Sequence, residues 1–345
     1  MKIHAIIAGL FAALIIGQPA LAHHSRANFD METTLAFQAT VTKFRYTNPH
    51  SFVFAEAPDK DGNMVEWVVE LGSIPNLTHM NMNGDSLKPG DKIFIRGNPD
   101  RNTDKHYLFL DSITRQDGKR FAMEDVFSYG RQARASGEGK PGSKDFTGVW
   151  SIQRSTQDIL NAARAAPELT LTAAGKTSMA AYNPDENPFF FCMPEGVPRN
   201  IGTVYPTIIE RKENQIIIKY EFSPLTRTVY LNQSQPAQKP ERSVVGFSLG
   251  HMEGDTLVIE TDNFIDEKWG IVSGLDSSSE KEVVERYTLL NDGHDLKVEV
   301  TVTDPHYLAA PYKVDYVWKY APGFELTDYV ECDPEAASLH LQLEK

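Results

Sequence analysis

The sequence predicts an all-β protein made of two closed sheets in series: a small OB-like barrel, then a larger antiparallel barrel or sandwich with short helices. Three observations predict it. Short runs of alternating apolar and polar residues fill residues 34–121 and return after Cys192, and such period-two runs are half-buried strands. Turn residues punctuate them, among them Asp61-Gly62-Asn63, Lys88-Pro89-Gly90-Asp91 and Asn291-Asp292-Gly293. Between the two sets lies RQARASGEGKPGSKD, residues 131–145, which is rich in glycine, serine and charge and reads as a linker. The expected division is a leader over 1–22, the OB-like unit over 23–130, the linker over 131–145 and the second barrel over 146–345.

In the leader, Lys2 precedes an apolar run from Ala5 to Ile16, a Gly17/Pro19 break, and small residues at Ala20 and Ala22. That order is a secretory signal peptide, because the run is too short to cross a bilayer. No cysteine follows the small residues to carry a lipid, so the expected mature chain begins His23-His24-Ser25. It is expected in the periplasm or secreted, with no membrane insertion after cleavage. The net charge of −13 argues against nucleic acid or an anionic membrane surface as partner, since both require a basic footprint. Cys192 and Cys332 are the two cysteines. In an oxidising compartment a bridge between them is expected and stabilises by about 2–4 kcal/mol; two unrelated thiols are the alternative.

The first strand reads Leu35, Phe37, Ala39 and Val41 on one face, and Phe52 with Phe54 repeats the device. A hairpin turn at Asp61-Gly62-Asn63 leads into Val65–Glu70, and the Lys88–Asp91 turn leads to Ile93, Ile95 and then Tyr107–Ile113. With an irregular piece over Ile74–Met82, these strands make an OB-like barrel. Such barrels host unrelated functions, so the fold alone assigns none.

Ala22-His23-His24-Ser25, Val41-Thr42-Lys43, Thr47-Asn48-Pro49-His50, Trp67 with Glu70-Leu71-Gly72-Ser73, and Leu87–Asp91 together resemble a family of exported bacterial proteins of unknown function. The resemblance covers about residues 20–120 and carries no activity with it. One departure is Ser51, which separates Asn-Pro-His from Phe52.

Cleavage before His23 would free an α-amine beside an imidazole. Amine and ring nitrogen of one N-terminal histidine can chelate a metal together, and a second imidazole completes a nitrogen set that suits copper ahead of zinc. His50 is the candidate second imidazole, with His24, and then His79 and His106, in reserve. The bland reading is that His23-His24 is a tail and His50 a strand-end residue.

After the linker, Phe146–Trp150 starts a strand, and Gln157–Ala166 and Thr172–Tyr182 read as short helical pieces. Strands are expected at Thr207–Arg211, Gln215–Phe222, Arg227–Leu231, Val244–Leu249, Thr256–Thr261, Val283–Leu290, Leu296–Thr303 and Val314–Tyr320. Asp145–Trp150, Tyr182-Asn183-Pro184, Cys192 with Pro194 and Gly196, Gly254–Thr261, Glu285-Arg286-Tyr287 and Asp304-Pro305 look like a lipocalin-like domain of exported bacterial proteins. That resemblance implies a barrel around an apolar pocket and no defined reaction.

Alternation puts Arg227 on a face with Leu225, Val229 and Leu231, and Glu285 with Val283, Tyr287 and Leu289; Tyr316 and Trp318 share a face of the last strand. A charge facing a core must be paired or used. An Arg227/Glu285 ion pair closing one end of the barrel is one reading. The other is that Arg227, Tyr316 and Trp318 hold a small hydrophobic or aromatic ligand. No GxSxG, P-loop, HExxH or GxGxxG motif occurs. The expected function is therefore an exported small-molecule-binding protein with an N-terminal copper site. The alternative is a lyase or isomerase acting on an aromatic or terpenoid compound, with His251, Glu285 and Tyr287 as acid/base groups; His251 and His306 otherwise read as exposed loop histidines.

Overall fold

The structure, a computed structural model, describes residues 28–126, 145–152, 168–203, 205–221, 225–232, 236–324, 327 and 332–343. The leader, His23, His24, the linker up to residue 144 and the helical piece expected over 157–166 lie outside the described residues.

The first barrel is built from Leu35–Arg45 (β1), Phe52–Pro58 (β2), Met64–Glu70 (β3), Lys92–Pro99 (β4) and Tyr107–Arg115 (β5). Their order, β3-β2-β1-β4-β5, closes through parallel pairing of β3 with β5, as an OB-like barrel requires, and Arg120–Ala122 (β6) extends the sheet beyond β5. β1 pairs with both β2 and β4, and a bulge between Val41 and Lys43 bends it so that one strand can serve two neighbours. The inward residues Ala39, Val41, Val53, Val69, Ile95 and Ile113 are buried, and on β1 this is the alternation read from the sequence. On β2, by contrast, the core face carries Val53 and Ala55, and Phe52 and Phe54 pack on the other side in a cluster with Phe29, Val68 and Tyr107. Ile74–His79 forms a short helix, α1, that joins β3 to β4 and packs Leu77 into this core.

The second barrel contains Gly148–Ile152 (β7), Thr207–Lys212 (β8), Gln215–Tyr220 (β9), Thr226–Leu231 (β10), Phe247–Glu253 (β11), Thr256–Asp262 (β12), Glu282–Leu290 (β15), Asp295–Thr303 (β16) and Tyr312–Tyr320 (β17). They close in the order β10-β11-β12-β15-β16-β17-β7-β8-β9. The strand start at Phe146–Trp150 supplies β7, which bridges β17 and β8 and completes the ring. The pairing is antiparallel except between β10 and β11, which run parallel. β10 ends at Leu231 and β11 begins at Phe247, and a parallel pair requires the chain between its strands to return to the starting end. Glu267–Val272 (β13) and Leu275–Ser277 (β14) form a separate two-stranded sheet that the alternation pattern does not reveal. The helix at Ala173–Ala180 (α2) falls inside the expected piece and is capped by the Thr172 hydroxyl, which accepts from the Gly175 amide at 3.1 Å.

Cys192 and Cys332 are bridged, with Cα atoms 5.7 Å apart, and a disulfide is consistent with an extracytoplasmic location. Among the described residues no helix is long and apolar enough to cross a membrane.

Candidate functional site

Two buried polar groups stand out, one in each barrel. In the second barrel, β10 turns Arg227 inward between apolar neighbours, and its side chain is 1% exposed against 0% for Glu285 on β15. The guanidinium crosses the lumen to meet that carboxylate twice: Nη2 donates to Oε1 at 2.7 Å and Nη1 to Oε2 at 3.1 Å. Nε donates to Ser248 Oγ on β11 at 2.7 Å, and Nη2 also donates to Thr261 Oγ1 on β12 at 2.5 Å. The Tyr287 hydroxyl donates to Glu285 Oε2 at 2.7 Å. Burial works against the Arg227 charge, yet the Glu285 carboxylate holds its pKa above the usual value. Burial pushes the phenol of Tyr287 well up, and that of Tyr220, beside the guanidinium, up to about 12.

This is the expected Arg227/Glu285 pair, and it is packed rather than open. Val229, Ile259, Val283, Tyr287, Leu296 and Val298 around it are 0% exposed, so no water-sized space adjoins them. Trp318 is buried with its ring 5.9 Å from that of Tyr287, edge to face. Tyr316 is half-buried nearby on the same face of β17, and its hydroxyl lies so close to Gly202 that a Cβ there would stand 2.7 Å from it. His251 is not brought to this group. It lies at the exposed end of β11, 48% exposed and 3.3 Å from Glu253. His306 follows β16 in an exposed turn, its amide bonded to Asp304 at 3.0 Å.

In the first barrel the group forms at a rim. The loop between β1 and β2 is held by Ser51, whose Oγ accepts from the Thr47 amide at 3.1 Å, and whose own amide donates to the Gly72 carbonyl at 3.1 Å. Asn48 Oδ1 accepts from the Ile74 amide at 3.0 Å, tying the loop to the start of α1. These bonds place His50 over the end of β3, where its Nδ1 lies 2.5 Å from Oε1 of Glu70. The hydroxyl of Tyr107, the first residue of β5, donates to the other carboxylate oxygen. The His50 side chain is 20% exposed and that of Glu70 is 8% exposed.

A carboxylate can only accept, so Nδ1 donates to it, and in the neutral ring the lone pair is then on Nε2. This is how metal-ligating histidines are held from behind. The chain from the N-terminus enters beside the same group. Phe29 is buried with its ring 5.0 Å from that of Tyr107, and Asn28 accepts from the Arg101 amide at 2.7 Å. His23 precedes Asn28 by five residues, which span at most about 17 Å when extended.

Among the described residues no three His, Cys, Asp or Glu side chains are grouped to hold a metal ion. Of the reserve histidines, the described His79 and His106 do not join His50. His79 is 7% exposed, with Nε2 4.0 Å from Glu221 of the second barrel, and the His106 ring packs on Trp67 at 5.0 Å. The sequence pattern alone does not join Glu70 and Tyr107 to His50. Their role depends on which strand pairs with which: β3 and β5 are far apart in sequence and meet only through barrel closure.

The two barrels also meet around this loop. Cys332 forms a parallel bridge with Asn48, and Asp333 and Glu335 pair with Arg45 of β1 at 2.7 and 3.3 Å. Pro334–Ala337 (α3) and Leu339–Leu343 (α4) come next, and Leu339 packs on the cluster of Phe29, Phe52, Val68 and Tyr107. The Tyr205 hydroxyl lies 3.2 Å from that of Ser73, and burial pushes its pKa up to about 12. Burial likewise raises the Glu221 carboxyl to about 7, although the Thr327 amide donates to it at 3.1 Å.

No curated protein matches the chain. Residues 12–109, a segment that includes His23, His24, Asn48, His50, Glu70 and Tyr107 and ends before the second barrel, match the model of a family of unknown function, DUF6152.

Proposed function

We propose that this is an exported, periplasmic copper-binding protein, its metal held by His50 together with the amine and imidazole of His23, with His24 beside them. The observation that carries this reading is the His50–Glu70–Tyr107 chain, in which a buried carboxylate holds the imidazole from behind through Nδ1. Neutral nitrogen donors suit copper, which also stands at the top of the divalent affinity order. The remaining ligands come from the expected mature N-terminus, whose chain enters against Tyr107.

The test is a copper titration of the chain begun at His23, beside one with a single extra residue before it and one carrying His50→Ala. Tight copper in the first form, weakened by either change, is the expected result. Equal binding by all three would overturn the site. A second reading, an apolar small molecule held in the second barrel, has in its favour the half-buried Tyr312, Tyr316 and Tyr320 on the inner face of β17. Native mass spectrometry of the protein as isolated tests it: an added small-molecule mass supports a bound ligand, and a bare polypeptide mass counts against one.

A further inference from the structure

Resting on the copper reading, we propose that the Cys192–Cys332 disulfide is a redox clasp on the His50 site, and that a dithiol reductant opens it and weakens metal binding. The observations lie in the contacts of the C-terminal segment. Cys332 is bridged to Asn48, two residues before His50 on the same loop. The next residue, Asp333, bonds Arg45 at the end of β1 and caps α3 through the Glu335 amide at 3.0 Å. Ala336 and Ala337 are 0% exposed. One side of the loop is therefore held by its own barrel, through Gly72 and Ile74, and the other by a strap from the far end of the chain.

The strap is tied down by the bridge to Cys192, which ends the turn Pro188–Phe191, against which α3 packs. The disulfide keeps strap and loop at a high effective concentration, and reduction removes that constraint across a separation of 140 residues. Both cysteines are half-buried, and Cys192 lies between Phe191 and Met193, which are 49% and 47% exposed, so the bridge sits at the surface on the Cys192 side, where a reductant approaches. In the exchange, one thiolate of the dithiol attacks the bridge to give a mixed disulfide, and its second thiol displaces the remaining protein thiol. The reductant leaves as a cyclic disulfide, and the two protons it loses end on Cys192 and Cys332.

The test uses the full mature chain. It is reduced with a dithiol, alkylated and freed of reductant, so that no thiol competes for the metal. Cupric ion is then titrated against a chromophoric chelator, and amide exchange over residues 47–51 is followed without metal. We expect copper affinity to fall by about tenfold to a hundredfold, the range seen when the support behind a ligand is lost, and loop exchange to accelerate by about tenfold or more. Unchanged affinity and exchange in reduced chain that keeps its circular dichroism spectrum would overturn the clasp and leave the copper site standing. Failure of the oxidised protein to bind copper would overturn both. If the reduced chain unfolds, Arg45→Gln with the disulfide intact decides: faster loop exchange with weaker copper supports the clasp, and no change in either overturns it.

Discussion

Two of the buried carboxylates, Glu285 and Glu70, sit on strands of closed barrels and each accepts from a tyrosine, yet their settings differ. Glu285 faces a guanidinium in the middle of a barrel, and the surrounding side chains close over both charges. Glu70 faces an imidazole that is carried by a loop at a rim and is 20% exposed. The first arrangement spends its ion pair on itself and fixes the packing of four strands. The second lends its charge to a ring that reaches the surface. Burial of a charge therefore marks rigidity as readily as chemistry, and the position of the partner, inside or at the edge, separates the two.

Arg227→Met should break this comparison most sharply. It strands Glu285 in a dry core and should lower stability by about 3–5 kcal/mol in denaturant unfolding, with copper binding by the folded protein unchanged. Adding Glu285→Leu should recover much of the loss, because an apolar pair of similar volume avoids the desolvation cost.

Glu221, between the barrels, is another buried carboxyl. Its folded pKa is raised to about 7 by burial, so the unfolded chain ionises first as pH rises. The folded state then has its full advantage below about pH 4.5 and loses about 3 kcal/mol as pH climbs to about 7, and unfolding curves across that window should show the decline. Glu221→Gln should flatten it.

Glu70→Gln keeps an acceptor for His50 but removes the charge, and should weaken copper by about 10–100-fold with a smaller effect on stability. The smallest effect expected is for Tyr107→Phe, about 1 kcal/mol of stability, read by thermal unfolding. A loss of copper affinity in Arg227→Met as large as in Glu70→Gln would erase the distinction between the two groups.

Period-two alternation is a local property, and its consequences are legible in the sequence. The inward set of β1, the inward Arg227 and Glu285, and the ring of strands from β7 to β17 all derive from neighbours along one strand. Where the expected strand at Val244–Leu249 begins late, at Phe247, Gly246 gives the reason. Its φ is +66° and a Cβ there would stand 2.5 Å from the Asp262 carbonyl, so the chain turns before it pairs. Contacts that depend on closure are not legible in this way. Glu70 meets Tyr107 because β3 pairs with β5, and Cys332 meets Asn48 because the strap returns to the first barrel. Compartment and cysteine count predict the disulfide, but not its place beside the His50 loop.

That return contact also dictates an order of maturation. Asn48 is made long before Cys332, so the rim of the first barrel lacks one of its partners until the strands of the second barrel have been synthesised. Contacts so distant in sequence are slow to form and leave surface exposed while they wait. A chain shortened by its last dozen residues should thus injure the barrel farthest from the cut, exposing the Phe29–Tyr107 cluster that Leu339 covers.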